Sequence, residues 1–230
     1  LGTEITAVDE AVSVHMLAFQ YDPSNEHISS MFANTRAARL RRTKRMVERL
    51  SQDFPITWDD VLAQVKEGER TTIGRPHIAD ALVAAGVYET RSDAFADAVS
   101  AKSKYYIPTP SPSTHEVIAA VKGAGGVVVA AHAGDPQRNR RLLSDEQLDA
   151  MIADGLDGLE VWHRGNPPEQ RERLLTIAAR QDLLVTGGSD WHGKGKPNGL
   201  GENLTDDDTV REILHRGVDL SDHVGSSHAA

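Results

Sequence analysis

The sequence contains no cysteine. That excludes a disulfide scaffold, a thiolate zinc site and a cysteine nucleophile. It also has no run of about 18 apolar residues, so no transmembrane helix is expected. The opening residues Leu1-Gly2-Thr3-Glu4 lack the basic head and apolar stretch of a secretory signal. A cytoplasmic protein with no membrane partner is the expectation. Positive charge is scarce too. Lys and Arg number 25 against 34 Asp and Glu, a net charge of −9, which argues against duplex DNA as a partner. A local basic pocket for phosphate remains open.

What the chain does have is enough length and apolar content to fold. Its 230 residues are 39% hydrophobic and 26% charged, a globular balance that can bury a core without covalent staples. Ten histidines are scattered along it. Imidazole and carboxylate are therefore the groups whose placement carries the chemistry.

Residues 11–17 alternate as a strand. From there to residue 106 the texture is helical. Arg and Lys alternate with Leu40, Met46, Val47 and Leu50 over 34–51, a capping pair Thr57/Asp60 opens Trp58 to Val65, Pro76 and Gly86 bracket His77 to Ala85, and a short helix covers Ser92 to Ala101. From Ile107 helix and strand alternate. Helices are predicted over Thr114 to Lys122, Ser144 to Asp154, Pro167 to Gln181 and Thr205 to Arg216, with strands at 127–131, 158–162 and 183–186. Such βα units predict an α/β fold with a parallel sheet or barrel. The predicted barrel domain is 1–21 with 107–224, the helical stretch 22–106 is an insertion, and 225–230 is a frayed tail. The chain starts at Leu1 without Met and enters a strand almost at once, so further strands are expected upstream.

Functional side chains of parallel α/β proteins gather at the C-terminal ends of strands. Glu4, His15, His132, Asp190 and His192 all stand in or just past apolar strand segments. Together they offer imidazole nitrogen and carboxylate oxygen, the donor set of Zn, Mn and Fe. Each also has a plainer reading, since a lone histidine at a strand end is more often a structural hydrogen-bonding group and Asp190 fits an Asx turn. Gly187, Gly188 and Ser189 allow close approach of the backbone. His163, after Trp162, is a further candidate for lining the site. Arg75 and His77 open a helix and suit either a phosphate contact or an ordinary Pro-started helix. Arg36, Arg39, Arg41, Arg42, Lys44, Arg45 and Arg49 read as a solvated helix face, or as an attractor for a polyanionic substrate.

Six segments in order, 2–6, 15–17, 74–79, 131–132, 158–161 and 188–193, resemble the PHP (polymerase and histidinol phosphatase) superfamily of metal-dependent phosphoesterases. The branch they resemble removes the 3′-phosphate of nucleoside 3′,5′-bisphosphates and trims short RNA from its 5′ end. The resemblance implies a distorted (βα)7 barrel with a helical insertion. It implies two or three divalent ions (Mn, Fe or Zn) on Glu4, His15, His132, Asp190 and His192, a metal-activated hydroxide as nucleophile, and phosphate contacts from Arg75 and His77. Substrates would be small phosphorylated molecules, a nucleotide or short oligoribonucleotide. The family's His-x-His, Ser-Asp-Gly and Asp-His elements do not occur here and are expected upstream of Leu1. Ala133 stands where the family commonly has Pro. A histidinol-phosphatase-like hydrolase of small phosphate esters and an inactive regulatory module are the alternatives.

Overall fold

The computed structural model describes residues 1–65, 73–138, 141–191 and 198–221. In chain order its elements are β1 (Gly2–Asp9), β2 (Val12–Phe19), α1 (Glu26–Leu50), α2 (Trp58–Leu62), α3 (Arg75–Ala84), α4 (Arg91–Ala96), α5 (Thr114–Gly123), β3 (Val127–Ala130), α6 (Asp145–Ala153), β4 (Gly158–Trp162), α7 (Pro168–Gln181), β5 (Leu184–Gly187) and α8 (Asp207–Arg216). They fall into two compact units, Leu1–Ser29 with Ser111–Ala230, and Ser30–Pro110. Among the described residues no helix is long and apolar enough to cross a membrane.

The first unit holds a five-stranded sheet in the order β1-β2-β3-β4-β5. It is parallel only from β3 to β5; β1 pairs antiparallel with β2, and β2 antiparallel with β3. This departs from the parallel sheet expected from the βα rhythm. The reason is local. Only Glu10 and Ala11 separate β1 from β2, which suffices for a hairpin and not for a crossover. Glu10 takes the left-handed conformation, φ 48°, that such a tight reversal demands. Glu4, expected in or just past a strand segment, lies inside an eight-residue strand.

β3 is buried on both faces, as its unbroken Val-Val-Val-Ala run requires. Val127 and Val129 pack with Leu184 and Ile213, and Leu17 and Phe19 close over them. Capping boxes start α5 (Ser113 with Glu116) and α6 (Ser144 with Gln147). The last helix begins two residues later than its sequence suggested. Asp206, not Thr205, caps α8. The Thr205 hydroxyl instead accepts from Gly187 N–H (3.0 Å) and donates to Gly187 O (3.1 Å), tying that loop to the end of β5.

The helical unit has its own core, in which Met46, Leu50, Ile56, Val61, Ile78 and Leu82 are buried. Lys44 of the basic helix lies over the Trp58 ring, and Arg42 and Arg49 are engaged within the unit too. Arg42 Nε donates to Ile107 O (2.7 Å) and Arg49 Nη1 to Tyr106 O (3.1 Å), so these serve to fasten the returning chain to α1.

Gly158 is a tight position where β3, β4 and β5 run parallel. A Cβ there would lie 2.7 Å from Leu184 O and 3.2 Å from Val129 Cγ2. Gly158→Ala is expected to destabilise the protein by about 1–3 kcal/mol, read as a lower urea midpoint; an unchanged midpoint would show that β5 yields at no cost.

Candidate metal centre

Strand alternation decides which side chains meet. In β1 and β2 the residues Ile5, Ala7, Val12, Val14, Met16 and Ala18 are buried, while Glu4, Thr6, Ser13, His15 and Leu17 occupy the opposite, more open face. The register sets Glu4 opposite Leu17 and Thr6 opposite His15, so Glu4 and His15 share that face. Leu17 pairs with Val129, Val129 with Gly158, and Glu160 with Thr186. With a period of two, Glu160 and Thr186 lie on the same face as Glu4 and His15. Ala131 N–H donates to His15 O (2.9 Å), which brings the residue after it, His132, to the same rim.

Glu4, His15 and His132 converge there. Each offers one ligand atom, and these atoms lie within 4.8 Å of one another. Glu4 Oε1 contacts His15 Nδ1 and lies 3.9 Å from His132 Nε2. His132 and His15 together hold the Glu4 carboxyl well below the usual carboxylate range. His132 is 8% exposed, and its Nε2 is buried without a hydrogen-bond partner among the described residues. A carboxylate oxygen and two imidazole nitrogens, one of them buried and without a hydrogen-bond partner among the described residues, suit a divalent cation by donor chemistry. A pocket of about 180 Å³ opens beside them, lined in part by His15, His132 and Arg138.

Asp190 joins this rim through an arginine. The Arg138 guanidinium is paired with Asp190 through Nη2, its Nη1 is 3.3 Å from His15 Nδ1, and its Nε is 3.7 Å from Asp135. His192 lies outside the described residues. Arg75 and His77 belong to the helical unit. There Arg75 donates to Val99 O (3.3 Å) and lies over the rings of Phe95 and Tyr106, and His77 Nδ1 accepts from Gly74 N–H (3.3 Å), closing the start of α3.

Sequence reasoning passed over Glu160 as a site residue. It is 6% exposed, and its Oε2 accepts the backbone N–H of His132 (2.8 Å). His132 itself is left-handed, φ 32°, as is Asp190, φ 48°, a conformation that side chains other than glycine hold only when neighbours impose it. A Cβ on Gly188 would come within 2.0 Å of Glu160 Oε1, so glycine at 188 lets the loop bearing Asp190 settle onto that carboxylate. Asn166 completes the frame. It donates to Glu160 O and Val161 O (both 3.0 Å) and accepts from Gly134 N–H (3.1 Å). The signal for Glu160 was present, a charge inside the otherwise apolar run Gly158-Leu159-Glu160-Val161. Asn166 and Arg138 carried none, for each stands in a polar loop. His163, the further candidate, is 2% exposed and its ring lies 5.3 Å from that of His132.

No family model matches the chain. It is 28% identical over 193 residues to the 5′-3′ exoribonuclease Rnm of Salmonella typhimurium, covering 83% of this chain and 64% of the relative. It is 25% identical over 202 residues to the 3′,5′-nucleoside bisphosphate phosphatase of Chromobacterium violaceum, covering 85% and 68%. The chain thus spans just under two thirds of the Salmonella relative. A solved structure from Bifidobacterium adolescentis, described there as a metal-dependent phosphoesterase, matches with 99% identity and a TM-score of 0.87, over 96% of this chain and 77% of that one.

Burial, reinforced by the charges of Glu4 and Asp190, pushes the Glu160 carboxyl from 4.5 up to about 7. Between those values the folded chain keeps a proton that the unfolded chain has lost, so this group's contribution to stability falls as pH rises through that window. His163 works against it. Burial lowers its imidazole from 6.5 to about 4, so the unfolded chain there binds the extra proton and stability rises with pH. The difference between wild type and Glu160→Gln isolates the first effect. In chelator-treated protein, the variant is expected to gain about 2.4 kcal/mol on wild type between pH 5 and pH 7.5, measured by urea denaturation; parallel pH profiles would refute it.

Proposed function

The chain belongs to the metal-dependent phosphoesterases of the PHP superfamily, and on that premise we propose that it hydrolyses a phosphate monoester at a ribonucleotide end. The substrate is the 3′-phosphate of a nucleoside 3′,5′-bisphosphate; at the 5′ end of short RNA the bond cleaved would instead be a phosphodiester. The observation that carries this reading is the convergence of Glu4, His15 and His132 within 4.8 Å, with Asp190 joined to His15 through one guanidinium. The two relatives above bear names of these same activities. The sheet and its helices are, on this reading, part of a distorted (βα)7 barrel interrupted by the helical segment 22–106.

Glu4, His15, His132, Asp190 and His192 would hold two or three divalent ions (Mn, Fe or Zn). Bound there, such ions supply Lewis-acid polarisation of a phosphoryl oxygen and water activated at neutral pH. The residues around them do the rest. Glu4 stays ionised between two imidazoles and presents oxygen at the centre of the group. Glu160 fixes the backbone of His132, and Asn166 fixes the loop beyond it. Arg138, held at the rim by Asp190 and Asp135, is placed to meet the negative charge of a transferring phosphoryl group. Hydrolysis cleaves the ester P–O bond, with water adding to phosphorus and the alcohol leaving protonated.

Full-length protein supplied with Mn²⁺ is expected to release inorganic phosphate from a nucleoside 3′,5′-bisphosphate in preference to histidinol phosphate, and to lose this activity on chelation. His132→Ala and Asp190→Ala should each lower kcat/KM by at least about 100-fold. Undiminished turnover in either variant would remove that residue from the metal set, and preference for histidinol phosphate would overturn the nucleotide reading.

A further inference from the structure

We infer that His163 donates a hydrogen bond from its Nε2–H to a phosphoryl oxygen of the substrate, and so is a substrate-binding residue and not a metal ligand. The inference rests on the phosphoesterase reading above and gives that site one more contact. His163 follows directly on β4, at the same rim as His132. Its Nδ1 accepts the backbone N–H of Gly165 (3.0 Å). A nitrogen that accepts carries a lone pair and no hydrogen, so the proton of the neutral ring sits on Nε2. An imidazole nitrogen bearing hydrogen has no lone pair for a cation. Nε2–H is therefore a donor, and it is buried with no hydrogen-bond partner among the described residues.

The donor is also held in place. His163 O accepts from Arg171 Nη2 (2.9 Å) and from Asn166 N–H (3.1 Å). The ring cannot turn to satisfy Nε2 elsewhere without giving up the Gly165 bond. A fixed, buried, unsatisfied donor in a native fold calls for an acceptor that the protein itself does not provide. The surroundings indicate its chemistry. His163 lines a recess of about 450 Å³ together with Arg138, Arg164, Asp190 and Asn198. Arg138 and Arg164 are balanced there by the carboxylates of Asp135 and Asp190, which pair with Arg138; what is left over is the His163 Nε2–H, a donor without a partner among the described residues, and it suits the lone pair of a phosphoryl oxygen. The neutral donor meets a phosphoryl oxygen without adding a further cation next to the metal ligands.

Two variants separate this role from a structural one. In His163→Asn the amide oxygen stands near Nδ1 and can still accept from Gly165, but the far donor is gone. In His163→Gln the amide reaches the Nε2 position, but the Gly165 N–H loses its acceptor. Orthophosphate binding to zinc-loaded full-length protein, measured by calorimetry, is expected to weaken by about tenfold or more in the Asn variant, with zinc stoichiometry unchanged, and to stay within about threefold of wild type in the Gln variant. Nitrogen-15 NMR of the wild type should show the proton on Nε2 and its resonance moving when orthophosphate is added. Wild-type affinity in the Asn variant, loss of zinc from it, or a proton found on Nδ1 would each overturn the assignment. Failure of the zinc-loaded wild type to bind orthophosphate would instead overturn the phosphoesterase reading on which the assignment rests.

Discussion

Three carboxylates crowd one rim of the sheet, and the way their mutual repulsion is relieved shapes everything around them. Glu4, Glu160 and Asp190 come from different strands or their ends, yet Glu160 senses the charge of both others. Carboxylates brought together under partial burial cannot all ionise without cations. The chain meets this in three ways. Glu4 is flanked by two imidazoles and stays ionised. Asp190 is paired with Arg138. Glu160, the most buried of the three, is pushed toward holding its proton. Arg138 is the cation that Asp190 and Asp135 share, so the Glu4 carboxylate, flanked only by imidazoles, is left as the charge that suits a divalent ion.

The same rim carries backbone strain. His132 and Asp190, two residues assigned to the metal set, both adopt left-handed conformations. Each such residue costs of order 1 kcal/mol or more unless the surroundings impose it. At His132 the imposing group is Glu160, whose carboxylate captures the N–H that the turn has freed. Two residues before Asp190, Gly188 comes down close onto that same carboxylate. One buried side chain thus braces the loop after β3 and lies against the loop after β5. Outer partners of this kind orient metal-binding groups as much as the ligands' own rotamers do.

How much of this could be read from the sequence depended on where a signal was local. The helices of the alternating half were legible because caps and periodicity agree, as at Ser113/Glu116 and Ser144/Gln147. The convergence of Glu4, His15 and His132 was suggested by residue type and strand position, and the resemblance supplied the rest. The antiparallel pairing of β1 and β2 was hidden because the two strands form one nearly continuous run, broken only by Glu10 and Ala11, with no Gly or Pro to mark the turn. Glu160 falls inside the matching segment 158–161, and a lone charge in a buried strand is itself a sign of a paired or functional group. Arg138 and Asn166 act only through tertiary contacts, which no local pattern encodes.

His132 has the rings of His15 and His163 on either hand, at 5.1 and 5.3 Å between centroids, and what distinguishes the three is the partner of each ring's nitrogens. His15 places Nδ1 against Glu4 Oε1 and near the Arg138 guanidinium, in the thick of the charge. His132 turns an unbonded Nε2 toward Glu4, the posture of a nitrogen whose lone pair is available. His163 has given its lone pair at Nδ1 to a backbone N–H and is left with a donor. On the proposed reading, one backbone hydrogen bond divides chemically identical side chains between cation binding and oxyanion binding. Because Gly165 lies only two residues beyond His163, that bond is set by the local turn, and the division of roles is built into the loop after β4 before any ligand arrives.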